Sequence, residues 1–157
     1  MGSSLRRLNL LILALHAAAM KSLMIVHALR LMPGDDLVES ILDYCQTHAL
    51  GATTIVSCVG SLSRATLRLA AAQEICTYEE ELEIVSLVGT VGRDRAHHLH
   101  CSLSRRDGSV IGGHCKGAAH IRTTAEVMLG ELPELEFTRT LDPATGYQEL
   151  QIQLADS

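Results

Sequence analysis

The stretch from His97 to His114 constrains the fold more than any other. It reads His97-His98-Leu99-His100-Cys101-Ser102-Leu103-Ser104, then Arg105-Arg106-Asp107-Gly108, then Ser109-Val110-Ile111-Gly112-Gly113-His114. As a strand, its first half sends His98, His100 and Ser102 to one face and Leu99, Cys101 and Leu103 to the other. The apolar set belongs to a core, and the histidines face a cleft, a partner or solvent. Asp107-Gly108 between two such runs is a hairpin signal. A tight two-residue turn there pairs Cys101 with His114 and turns the third histidine to the wrong face. One more loop residue, or a bulge at Gly112-Gly113, sets His114 opposite His100 instead. Three imidazoles then converge, and three protein ligands with an open position are the pattern of a catalytic zinc site. The plainer reading leaves the same residues on a solvated strand face.

A chain of 157 residues suits one domain with a real core, and 47% hydrophobic residues with no low-complexity tract exclude a disordered protein. Tryptophan is absent and Phe137 is the only phenylalanine, so aliphatic side chains must fill the core. The formal net charge of −5 argues against broad affinity for nucleic acid or anionic membranes. Five cysteines with no C-x-x-C pair read as reduced thiols, hence a cytoplasmic protein. Cys101 and Cys115 each follow a histidine and so point to the core side.

Residues 1–23 differ from the rest and are read as an N-terminal extension or targeting segment ahead of a domain at 24–155. Arg6 and Arg7 precede a mostly apolar run from Leu8 to Met20, and no acidic residue occurs before Asp35. The run is too short and too broken for a membrane span, so no membrane partner is expected. It imitates a secretory signal, and it also fits a mitochondrial transit peptide or an extension upstream of Met20 or Met24.

Met24–Leu31 is predicted as a first strand, ended by Pro33-Gly34. Asp36 with Glu39 has capping-box spacing, and Leu37, Val38, Ile41, Leu42, Cys45 and Ala49 follow at helical spacing, which predicts a helix over 36–50 closed by Gly51. Thr53–Val59 reads as a buried strand broken by Gly60-Ser61, Thr66–Leu69 as a further strand, 71–80 as a loop, and Glu81–Thr90 as a strand. Beyond the histidine hairpin, Lys116–Ile121 and Thr124–Leu129 read as two strands, with a helix over 125–132 as the alternative. Phe137–Arg139 is short and extended, Asp142–Gly146 is a turn, and Tyr147–Leu154 is a final strand. The sum is an α+β domain: a largely antiparallel β-sheet with one clear helix.

Several of these stretches resemble the PPC (plants and prokaryotes conserved) domain. They are Leu29-Arg30-Leu31-Met32-Pro33-Gly34-Asp35-Asp36-Leu37, Val59-Gly60-Ser61-Leu62 with Thr66-Leu67-Arg68, and Glu83–Thr90. His98-Leu99-His100 through Asp107-Gly108 to Gly112-Gly113-His114, then Phe137-Thr138-Arg139 and Thr145-Gly146-Tyr147, complete the match. The resemblance implies a homotrimer. In plants the domain follows AT-hook motifs that bind A·T-rich DNA, but no Arg-Gly-Arg-Pro core occurs in this sequence. The domain is also similar in fold to acetolactate decarboxylase and to zinc-binding ester hydrolases, which hold zinc on an H-x-H pair and a later histidine. His98, His100 and His114 match that arrangement, which implies zinc or a similar divalent metal as cofactor.

Three functional readings result. One is a homotrimeric PPC-domain protein with a three-histidine metal site and an unassigned role. The second is a metal-dependent lyase or hydrolase acting on a small carbonyl or ester substrate. Here Arg68 or Arg139 would hold a substrate carboxylate and Glu83 would be the acid–base group. The third is a DNA-associated regulatory protein, which would need Arg64, Arg68, Arg93, Arg95, Arg105 and Arg106 gathered on one face.

Overall fold

The computed structural model describes residues 20–156, so most of the 1–23 segment lies outside the described residues. Among those residues no helix is long and apolar enough to cross a membrane.

Strand β1 (Ile25–Leu31) leads through the Pro33-Gly34 turn to helix α1 (Leu37–Thr47). The Asp36 carboxylate caps this helix: Oδ1 accepts the N–H groups of Val38 and Glu39, both at 3.0 Å. Its other oxygen accepts the Ala119 N–H at 2.8 Å, which ties the helix start to the sheet. The buried face of α1 holds five of the six predicted residues, Leu37, Val38, Ile41, Leu42 and Cys45; the sixth, Ala49, is exposed beyond the helix end. Burying a Leu or Ile there contributes about 1.5–3 kcal/mol each. The helix ends three residues earlier than its pattern suggests, and the left-handed residue beyond it is Ala49 (φ 54°) rather than Gly51.

The rest of the domain is antiparallel strand: β2 (Ala52–Arg68), β3 (Ile75–Tyr78), β4 (Leu82–Gly92), β5 (His97–Ser104) and β6 (Val110–Glu131). The sheet runs in the order β1-β6-β5-β4-β2-β3, and β6 pairs with β2 as well, so the sheet closes on itself like a barrel. Its interior is aliphatic, with Leu99, Leu103, Ala125, Val127 and Leu129 fully buried.

The structure corrects the sequence reading at three places. Gly60 does not break its strand. It lies within β2 at φ +146°, where a Cβ would collide with the Thr124 carbonyl, so glycine permits the close crossing of β2 and β6. The two strands expected over 116–129 are one continuous strand, and no helix forms at 125–132, because those residues pair with β1 on one edge and β2 on the other. Part of the expected 71–80 loop is β3, an edge strand whose Ile75–Tyr78 pair with Ala65–Arg68.

The last two strands, β7 (Leu135–Leu141) and β8 (Gln148–Leu154), form a separate two-stranded sheet. A small cluster of Ala52, Leu135 and Phe137 holds it to the barrel, and the Phe137 N–H donates to the Gly51 carbonyl at 3.0 Å. This anchorage sets where Arg139, two residues further on, reaches.

Candidate metal centre

The β5–β6 hairpin settles the register question. Its ladder pairs Ser104 with Val110, Leu103 with Ile111, Ser102 with Gly112, Cys101 with Gly113 and His100 with His114. The turn is one residue longer than a two-residue hairpin: the Arg105 N–H donates to the Ser109 carbonyl at 2.8 Å, and Gly108 takes φ +81°. No bulge is needed at Gly112-Gly113. Those glycines serve close packing instead, since a Cβ on Gly113 would stand 2.7 Å from the Arg68 carbonyl oxygen.

His98, His100 and His114 therefore converge. Their ring centroids are 4.9, 5.0 and 5.3 Å apart, and one ring nitrogen of each lies within 4.8 Å of the others. Nε2 of His98 is 3.0 Å from Nε2 of His100. Two nitrogens on one tetrahedral zinc stand about 3.3 Å apart, given Zn–N bonds of about 2.0–2.1 Å. The His98–His100 spacing is close to that separation, and three imidazole nitrogens are a donor set that suits such an ion. A buried Nδ1 on His114 without a hydrogen-bond partner is a second sign of an unmet ligand or acceptor.

Electrostatics favour the neutral form, the one that ligates a metal, at His114 and His98. Burial, then the Arg68 guanidinium and the other two histidines, push His114 down to about 4. Burial and Arg139 lower His98 as well.

The three rings form part of the wall of a cleft of about 680 Å³, within the size range of small-molecule sites. Arg68 lines it from β2 and Lys116 from β6. Arg139 reaches in from β7, donating to Thr90 Oγ1 and to the Gln148 carbonyl, each at 3.2 Å. Tyr147 and Glu149 close the side nearest β8. Two of the three predicted non-metal residues, Arg68 and Arg139, are thus brought to the histidines. Glu83 is not: it pairs with Ser104 at the far end of β4 and lines a different cleft with Arg105, Arg106 and Arg122. It is about 16 Å along the strand from Val88, the residue opposite His100, at about 3.3 Å per residue. The acid in the histidine cleft is Glu149, which accepts a hydrogen bond from Thr145 Oγ1 at 2.9 Å. Sequence reasoning missed Lys116, Tyr147 and Glu149. The signal for Lys116 was its place two residues after His114 on the same strand face.

The arginines considered for DNA are mostly neutralised. Arg64 pairs with Glu79, Arg93 with Glu136, Arg95 with Glu39 and Asp43, and Arg105 with Glu80.

Comparison with known proteins agrees with this architecture. The family model of the Plants and Prokaryotes Conserved (PCC) domain matches residues 18–133. The chain is 43% identical over 128 residues to the bifunctional protein GlmU of Synechococcus sp. (strain JA-3-3Ab), a match covering 82% of this chain and 20% of that protein. It therefore spans about a fifth of the length of that curated relative. A hypothetical protein from Salmonella cholerae-suis has a solved structure that superposes with a TM-score of 0.83 at 35% identity, covering 86% of this chain and 97% of that one. The metal-containing protein of Archaeoglobus fulgidus superposes with a TM-score of 0.73 at 28% identity, covering 86% of this chain and 99% of that one. A closed antiparallel sheet, one capped α-helix among the described residues and a matched span that includes all three histidines lead to one conclusion: the chain belongs to the Plants and Prokaryotes Conserved (PCC) domain family.

Proposed function

We propose that this chain is a homotrimeric PCC-domain protein that holds zinc, or a similar divalent metal, on His98, His100 and His114. The observation that carries the reading is the convergence of three imidazoles from two strands, each with a nitrogen within 4.8 Å of the others, at the wall of an open cleft. The metal content of the Archaeoglobus relative supports it. A metal bound there would polarise a carbonyl or activate a water, which favours a metal-dependent lyase or hydrolase over a closed structural site. The chain's own residues would bind and orient the substrate, with Arg139 and Glu149 bordering His98 and His100.

Assembly finds support on the outer face of the barrel, where Val56, Val59, Val85 and Val88 of the neighbouring strands β2 and β4 are each more than half exposed. Apolar residues at that density are a mark of an interface. A nucleic-acid role finds less support, because Arg64, Arg93, Arg95, Arg105 and Arg122 outside the cleft are ion-paired and the chain carries net negative charge.

The test is elemental mass spectrometry on protein purified without an affinity tag, beside a His98→Ala/His100→Ala variant. About one metal ion per chain, lost in the variant, is the expected result. No metal in either protein after incubation with zinc overturns the reading. Light scattering checks the assembly, with a mass three times the 17.0 kDa of the chain expected.

A further inference from the structure

We infer that the histidine cleft selects a small organic carboxylate, gripped by Arg68 and Arg139 on either side of the three histidines. This names the ligand class of the centre proposed above and rests on that reading for the role of the metal, though not for the anion site itself.

The described cations of this chain divide into those held in ion pairs and those left without one. Arg64, Arg93, Arg95, Arg105 and Arg122 each lie in an ion pair with Asp or Glu. Among the described residues, Lys21, Arg30, Arg68, Arg106, Lys116 and Arg139 have no such pair, and Arg68, Lys116 and Arg139 line the same cleft. A protein with a formal net charge of −5 has acids enough to neutralise them. Here three positive groups face a single acid, Glu149. That leaves a local excess of positive charge in a concave site, which concentrates anions.

The placement is fixed by the sheet rather than by flexible loops. Arg68 is the ladder partner of His114 across β2 and β6. Lys116 follows two residues later on β6 and lines the same cleft. On the opposite side, Thr90 is the ladder partner of His98, and Thr90 Oγ1 accepts a hydrogen bond from Arg139. Each arginine is thus held next to one of the metal-ligating residues. A guanidinium has five donors, and only two of Arg139 are engaged, by Thr90 and Gln148. The remainder are free for a planar carboxylate, which arginine binds in bidentate fashion.

The excess is small and one wall carries Glu149, so the charge suits a mono- or dicarboxylate better than a polyanion. The cleft lies between the barrel and the β7–β8 sheet, lined from both.

The experiment is calorimetric titration of zinc-loaded and chelator-treated protein with pyruvate, lactate and malonate. Pyruvamide serves as a neutral counterpart and inorganic phosphate as a second anion. Zinc content is measured in every sample, and circular dichroism and melting temperature establish that each variant folds. At least one of the carboxylates is expected to bind at one per chain, and pyruvamide about tenfold or more weaker than pyruvate. Arg68→Gln and Arg139→Gln should each weaken carboxylate binding by about tenfold or more with zinc content unchanged. Arg139→Lys, which keeps charge but loses the fork, should fall between. Arg105→Gln, in the other cleft, should have no effect.

Zinc uptake without arginine-dependent carboxylate binding overturns this inference and leaves the metal reading standing. Arginine-dependent binding that is the same in both preparations, with no zinc taken up, supports the carboxylate site and overturns the metal reading. Phosphate binding tighter than every carboxylate, with the same arginine dependence, overturns the ligand class.

Discussion

His114 stands directly opposite Arg68 in the β2–β6 ladder, while its other edge faces His100 on β5. One residue of the longest strand therefore joins a cation and a prospective metal ligand in fixed register. Any shift of β6 by one residue would turn its side chain to the opposite face, so the site and the sheet register stand or fall together.

Gly89 offers the sharpest test of that dependence. It lies at φ +135°, and a Cβ there would collide with the backbone carbonyl of His98. Gly89→Ala is expected to destabilise the protein by about 3 kcal/mol or more and to lower metal uptake together with stability. Gly108→Ala, at φ +81° with open space around it, is the comparison and should cost about 1 kcal/mol. Urea denaturation measures both.

Asp36 joins three backbone N–H groups from two elements. Asp36→Ala removes the cap and leaves the Ala119 donor without its partner, and should cost about 2–3 kcal/mol. Asp36→Asn retains an acceptor for the helix and should recover part of this. Thermal unfolding of the three proteins gives the ranking.

Metal-free protein should lose stability on mild acidification. His114 is lowered in the native state from 6.5 to about 4, and His98 is lowered as well, so the unfolded chain binds protons first. Stability is then full above about pH 6.5 and falls as pH drops toward 4. The melting temperature of chelator-treated protein across that range checks the direction. The His114→Gln variant should show a shallower slope, because glutamine does not titrate.

The five thiols should divide sharply in reactivity. Cys45, Cys58, Cys101 and Cys115 are buried, whereas Cys76 is partly exposed on the edge strand β3. Burial pushes the Cys58 thiol up to about 12, and the carboxylate of Glu74 raises Cys76. Titration with a chromogenic disulfide reagent should find one reactive thiol per native chain, faster as pH rises, and all five in denaturant.

Much of this arrangement could be read from residue order because local signals agreed with the final packing. The alternation of His98–Leu103 with the Asp107-Gly108 turn left only two routes to a histidine cluster, and the longer turn is the one taken. Asp36 announced α1 for the same reason: a cap acts within three residues of itself. The failures concern interactions between distant segments. Gly60 looks like a breaker until Thr124 crosses against it. The apolar run at 125–129 is consistent with helix or strand until β1 and β2 claim its two edges. Glu83 was attractive as an acid beside an apolar strand, but strand length carries it to the wrong end, and Glu149 arrives instead on a separate sheet.

That separate sheet divides the site along a seam. The histidines and Arg68 are rooted in the large barrel core, and Arg139, Tyr147 and Glu149 in a hairpin held by its own small cluster around Phe137. Substitutions in the hairpin can alter what the cleft admits while the histidine cluster keeps its shape. The domain is in effect a fixed socket with an exchangeable faceplate, an economical way for one scaffold to acquire new selectivity without being folded anew.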